Sequence, residues 1–244
     1  MKIIKVSNST EMAKTAGEMI AEKVRANPEI VLGLATGGTP IGTYQYLIED
    51  HRKNGTSYSK ASSVNLDEYI GLPKTDPNSY YFFMKTNLFD HLDINPERTF
   101  IPDGTADDLE GECANYEKRI AALGGVDLQL LGIGRNGHIA FNEPGTSFES
   151  RTQIVSLAEE TIADNARFFS SPEEVPTKAI SMGIATILES KEIILLATGK
   201  SKAEAMHSLI KGEVTEDFPA SALQRHGNVT IIADEDALSL IKDI

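Results

Sequence analysis

With a single cysteine, Cys113, the chain can form no internal disulfide. Cys113 sits among Glu112, Ala114 and Tyr116 in a helical pattern, so it reads as a packing position and not as an activated thiol. No paired histidine or cysteine spacing of the metal-binding kind occurs, and no metal is expected. Tryptophan is absent, and no apolar run approaches the roughly 20 residues that span a bilayer, which argues against membrane insertion. The segment Met1 to Val6 passes straight into a polar, helix-like stretch with no secretory leader pattern, so a cytoplasmic protein is expected. Basic residues are scarce, 23 against 36 acidic, for a net charge of −13. That field repels phosphate backbones and argues against a nucleic-acid partner. It also means that an anionic substrate would have to be held by a local cluster of donors.

What is present is an alternation. Runs rich in β-branched residues, Ile30 to Ala35, Ser62 to Leu66, Val126 to Leu131, Glu192 to Ala197 and Val229 to Ala233, predict strands. Helical periodicity predicts helices over Thr10 to Arg25, Ile41 to His51, Asn78 to Phe89, Ala106 to Leu123, Ser201 to Ile210 and Glu235 to Lys242. A chain of 244 residues with no repeat and no linker-like break suits one α/β domain, with a mostly parallel sheet covered on both faces. Ligands bind such sheets beyond the carboxyl ends of the strands, so chemistry is sought in the loops that follow them.

Four of these loops are informative. Gly132 to Pro144 (GIGRNGHIAFNEP) combines three glycines, one histidine and one carboxylate, and makes His138 the first catalytic candidate. Thr36-Gly37-Gly38-Thr39-Pro40 reads either as an anion cradle at a helix start, with proline in the first turn, or as a tight turn needing glycine for its dihedrals alone. Asp67-Glu68-Tyr69 offers adjacent carboxylates at a strand end. One could be a general base and the other a structural acceptor, or the two a helix cap and a solvated acid. Thr198 to Lys202 places lysines near a helix start, which is unfavourable for the dipole unless an anion sits there. Two nucleotide motifs are excluded. Position 194 is isoleucine where a P-loop needs glycine, and Gly132, Gly134 and Gly137 lead into Phe141-Asn142-Glu143-Pro144-Gly145, which cannot sustain the long helix of a dinucleotide site. His226 follows a strand-terminating stretch, while His51, His91 and His207 read as surface or packing residues.

Taken together, Thr36 to Pro40, Asn65-Leu66-Asp67-Glu68-Tyr69, the histidine loop and Phe218-Pro219-Ala220-Ser221 resemble glucosamine-6-phosphate deaminases over nearly the whole chain. The resemblance implies a Rossmann-like three-layer sandwich of the kind found in ribose-5-phosphate isomerase-like and 6-phosphogluconolactonase-like proteins. It also implies conversion of glucosamine 6-phosphate and water to fructose 6-phosphate and ammonia in amino-sugar catabolism, without metal or cofactor. Carried over from the family, His138 opens the sugar ring with Glu143 as its partner, Asn136 belongs to the same cluster, and Asp67 moves a proton from carbon 2 to carbon 1. Phosphate contacts carry over to Thr36, Gly37, Gly38 and Thr39, to Lys202 and to Arg167. Arg167 lies in a segment, about 158–176, that acts as an active-site lid in the family.

Two departures qualify that expectation. Many family members have aspartate where this chain has Asn136, so the acid limb of the cluster would depend on Glu143. Relatives activated by N-acetylglucosamine 6-phosphate carry basic residues in the stretch matching Arg151 to Val155, where Gln153 and Val155 are uncharged here. An unregulated enzyme, monomeric or a small homo-oligomer, is therefore expected. Two rivals are a 6-phosphogluconolactonase-type hydrolase, which lacks the Asp67-Glu68-Tyr69 and Phe141-Asn142-Glu143-Pro144 combination, and a non-catalytic sugar-phosphate sensor, for whose DNA-binding segment the chain has no place.

Overall fold

The computed structural model describes residues 1–166 and 169–242. Among these residues ten strands form two sheets: β1 (Lys2–Val6), β2 (Val31–Leu34), β3 (Ser62–Asn65), β4 (Asp67–Tyr69), β5 (Thr99–Phe100), β6 (Leu128–Leu131), β7 (Gln153–Ser156), β8 (Lys178–Ser181), β9 (Glu192–Ala197) and β10 (Val229–Asp234). Seven pair in the order β1-β10-β9-β6-β2-β3-β5, every pairing parallel. Central strands such as Glu192–Ala197 are buried on both faces, as a sheet covered on both sides requires. Side chains alternate between two cores: Ile193 and Leu195 face one, Ile194 and Leu196 the other.

Among the described residues there are seven α-helices, α1 (Ser9–Ala26), α2 (Ile41–Asn54), α3 (Tyr80–Asn87), α4 (Leu109–Ala122), α5 (Glu159–Asn165), α6 (Ile184–Leu188) and α7 (Ala203–Lys211), and all but α5 cover these faces. Helices α1, α2 and α3 bury Ile20, Leu47 and Met84 in one core, and α4, α6 and α7 bury Tyr116, Ile187 and Met206 in the other. The result is the expected three-layer sandwich. Within it, Gly33 on β2 leaves room for Gln129 on β6, whose side-chain oxygen lies 2.1 Å from where a β-carbon would be.

Three expectations need correction. Asp67-Glu68-Tyr69 is not a loop but strand β4, paired antiparallel with β8, which pairs antiparallel with β7 in a second, three-stranded sheet. Pro40 is the N-cap of α2 and not a first-turn residue. Glu235 to Lys242 forms turns and no helix. Asp234 accepts the Ala237 N–H on its carboxylate and the Leu238 N–H on its carbonyl, as at a helix start, but the bonds that follow, Ser239 N–H to Asp236 and Ile241 N–H to Leu238, close three-residue turns and no regular helix is built.

Candidate active site

The loops after β2, β3, β6 and β9 converge on a cavity of about 330 Å³. Thr36, Gly37, Gly38, Thr39, Asp67, His138 and Lys202 all line it, although they come from separate parts of the chain.

The glycine loop is held at its root by Tyr44, whose hydroxyl donates to the Ala35 carbonyl and accepts from the Ala35 N–H. Gly37 has φ +91°, and a β-carbon at either Gly37 or Gly38 would meet nothing within 4 Å, so the space over this backbone is open. Helix α2 starts here with no side-chain cap and no acid in its first turn, which leaves its first N–H groups directed at the cavity rim. Opposite, Asp234 receives hydrogen bonds from Thr198 and from the Gly199 N–H at 2.9 Å, fixing the turn Lys200–Lys202 that brings Lys202 to the cavity. A positive side chain facing an uncapped helix start is a donor set for a dianionic group.

The histidine loop folds on itself. Gly134 accepts a hydrogen bond from Gly137 and donates to the His138 carbonyl, and a β-carbon on Gly134 would stand 2.3 Å from the imidazole. Gly137, at φ +84°, packs on the Phe218 ring, where a β-carbon would be 2.3 Å away, and its carbonyl accepts from Ala220 at 2.8 Å. The Phe218 to Ser221 motif thus clamps this loop.

Asn136 and Glu143 do not line the cavity. They stand behind His138 as a relay. The Asn136 amide donates to Glu143 Oε2 at 2.8 Å, which turns its oxygen toward His138, and that oxygen lies 2.8 Å from Nδ1. Nδ1 therefore carries the proton it donates, and Nε2 is the ring nitrogen left for chemistry. Glu143 Oε2 is 3.5 Å from Nδ1, so the carboxylate acts on the ring as a charge and the amide supplies the hydrogen bond. Burial pushes the Glu143 carboxyl up, but His138, the Thr161 hydroxyl and the Asn136 amide together hold it down at about 2.

Across the cavity, Asp67 is 7% exposed and its carboxyl is pushed up to about 8 by burial and by the neighbouring Glu68. Glu68 is structural. It accepts N–H bonds from Tyr69 at 2.8 Å and from Tyr80 and Tyr81 at 2.9 Å, so it caps α3. Burial raises its carboxyl too, less far, because those three donors oppose it. The two acids thus divide as one of the sequence alternatives has it, one structural acceptor and one facing the cavity. Around Asp67, the rings of Tyr69, Tyr80, Phe141 and Phe169 pack with centroids 4.7 to 6.1 Å apart, an apolar wall that strips water from the acid.

Sequence patterns did not reveal that aromatic wall, nor Thr161 and Asn165 of α5, which also line the cavity. Nothing local signals them, since their partners lie far along the chain. Arg167 lies outside the described residues. His226 packs, with Nε2 2.7 Å from the Ser190 carbonyl, and Cys113 is buried in α4. Among the described residues, no three His, Cys, Asp or Glu side chains converge to hold a metal ion, and no helix is long and apolar enough to cross a membrane.

Residues 6–232 match the family model for glucosamine-6-phosphate isomerases/6-phosphogluconolactonase. The chain is 56% identical over 243 residues to the glucosamine-6-phosphate deaminase of Geobacillus sp. strain WCH70, covering 100% of this chain and 97% of that one. It is 54% identical over 240 residues to glucosamine-6-phosphate deaminase 1 of Bacillus subtilis, covering 98% and 99%. The solved structure of a monomeric glucosamine-6-phosphate deaminase superposes with a TM-score of 0.97 at 54% identity over 98% of this chain and 100% of that one. The 6-phosphogluconolactonase of Trypanosoma brucei superposes at 0.80 with 21% identity over 99% and 98%, and so shares the fold.

Proposed function

This chain belongs to the glucosamine-6-phosphate deaminases within the glucosamine-6-phosphate isomerase/6-phosphogluconolactonase family, and from that premise we propose that it converts glucosamine 6-phosphate and water to fructose 6-phosphate and ammonia. The observation that carries the reading is one cavity lined by a phosphate-sized donor set, a tautomer-fixed histidine and, opposite, a dehydrated carboxyl. The phosphate sits on the Thr36 to Thr39 loop and Lys202, with Arg167 as a further contact. His138 Nε2 takes the proton of the anomeric hydroxyl and returns one to the ring oxygen, opening the pyranose to the aldehyde. Asn136 holds the imidazole in the tautomer this needs, and Glu143 stabilises the imidazolium formed in transit. Asp67, as carboxylate, then removes the carbon-2 proton and delivers it to carbon 1, while the aldehyde oxygen gains a proton and the amine nitrogen gives one up. The product is a 2-imine of fructose 6-phosphate, which water hydrolyses to the ketone and ammonia. Neither a metal nor an organic cofactor takes part.

The segment 158–176 is the lid: α5 already stands over the cavity through Thr161 and Asn165, and closing it would exclude water from the imine precursor. The enzyme is one domain and works as a monomer or small homo-oligomer in the cytoplasm, where phosphorylated sugars are retained by their charge. The test is parallel measurement of ammonia and fructose 6-phosphate released by the purified protein. Equal amounts of both, absent from His138→Ala, are expected; tight binding of the sugar phosphate with neither product would mean a sensor.

A further inference from the structure

Helix α5 touches both halves of the catalytic apparatus with one face. Thr161 and Asn165 are four residues apart and so lie one above the other on the cavity side. Asn165 Nδ2 donates to the Tyr69 hydroxyl at 2.8 Å, on the strand that carries Asp67. The Thr161 hydroxyl donates to Glu143 Oε1. A threonine inside a helix ordinarily turns its hydroxyl back to its own backbone. This one, 5% exposed, spends it on a carboxylate 18 residues earlier in the chain.

We infer that Thr161 is a positioning residue for ring opening: from α5 it fixes the orientation of Glu143, and through it the Asn136–His138 pair, so that the proton-transfer unit is complete only while α5 is docked. The geometry behind this is the division of the carboxylate. Oε2 faces Asn136 and His138, and Oε1 faces Thr161. A carboxylate held at one oxygen still rotates about its last bond, which is soft. Held at both, its plane is set, and with it the amide that dictates the histidine tautomer. Because the second hold comes from the lid helix, opening α5 releases Glu143 at the same moment that it exposes the cavity. The histidine relay is then slack whenever the site is open to water and tight when substrate is enclosed. The inference rests on the deaminase reading, since it assigns Thr161 to the ring-opening step of that reaction.

Ring opening can be watched apart from the later steps. In Asp67→Asn protein the carbon-2 transfer is blocked, so the exchange of α and β anomers of carbon-13-labelled glucosamine 6-phosphate, followed by NMR magnetisation transfer, reports His138 alone. Adding Thr161→Val, which keeps the shape and deletes the hydroxyl, is expected to slow that exchange about 10-fold, the effect of losing one charge-assisted hydrogen bond. Thr161→Ser should restore it to within about 2-fold. In the otherwise native enzyme, Thr161→Val should lower kcat by a similar factor with KM changed by less than about 3-fold. Anomer exchange unaltered by Thr161→Val, or equally slowed in Thr161→Ser, overturns the assignment, as does a loss confined to KM. If native enzyme releases no ammonia, the deaminase reading fails on its own account, separately from any Thr161 result.

Discussion

Replacing Asp67 with asparagine should cripple turnover and at the same time strengthen the fold. Folded Asp67 holds its proton up to about 8, whereas an unfolded chain releases it near 3.9. At pH 7 the folded protein thus retains a proton against a gap of roughly 3 pH units, equivalent to at most ~4 kcal/mol. Asparagine has the same outline and no charge to neutralise, so Asp67→Asn should gain about 1–3 kcal/mol at pH 7 and raise Tm by several degrees. The sign across pH follows from the raised value. The aspartate's contribution is whole below about pH 4, where both states are protonated, and is lost progressively as pH rises through about 8. The stability gap between the two proteins should therefore be small at pH 4, widen to pH 8 and then level off. Denaturant melts of both proteins at pH 4, 6, 8 and 9 give that curve. Turnover should fall by at least ~100-fold with KM little changed, the lower range for a placed proton-transfer group. In native enzyme kcat/KM should climb with pH toward about 8 as Asp67 becomes the carboxylate it must be to act. A variant less stable at every pH, or one turning over near the native rate, would refute the account of Asp67.

Other expectations follow from the same geometry. Gly134→Ala puts a methyl 2.3 Å from the His138 ring, so kcat/KM should drop by about 100-fold or more while circular dichroism stays native. Asn136→Asp removes the amide that donates to Glu143 and sets a second acid beside it, so the Glu143 carboxyl should titrate clearly above its present value of about 2 in a carbon-13 carboxyl titration; an unchanged midpoint would contradict the relay. Arg151, the one base in the stretch where activated relatives carry several, is engaged by Glu189 at 2.5 and 2.7 Å. N-acetylglucosamine 6-phosphate should therefore leave the kinetics hyperbolic and unaltered, and sigmoidal rates relieved by it would count against this.

Sequence legibility tracked the range of the forces involved. The buried runs behind β2, β6, β9 and β10 declared themselves because burial on both faces writes a continuous apolar string, and the glycine loops did so because positive φ or close approach demands glycine. His138, Asp67 and Lys202 could be named as candidates from the segments that follow the strands together with the family resemblance, and the cavity brings them together. Strand β4 was hidden. Only three residues long, it is a strand because it pairs with β8, from Asp67 opposite Ser181 to Tyr69 opposite Ala179, a partnership that no local pattern encodes. Thr161 was hidden for the same reason, its partner being Glu143 and its own helix short. Glu235 to Lys242 failed in the opposite direction: local periodicity favoured a helix and Asp234 caps its start, yet the backbone bonds after Leu238 close only turns.

The small sheet has a consequence for how such a catalyst could be altered. The phosphate loop, Lys202 and the histidine all follow strands of the seven-stranded sheet. Asp67, the base proposed for the isomerisation, lies on the three-stranded one, and the strand β7 of that sheet leads into α5, which carries Thr161. The histidine and the aspartate are thus mounted on separate frames, with α5 bridging them. Someone seeking a different reaction on the same class of sugar would redesign residues 67–69 and their pairing strand 178–181, and leave 36–40, 132–143 and Thr161 as they are.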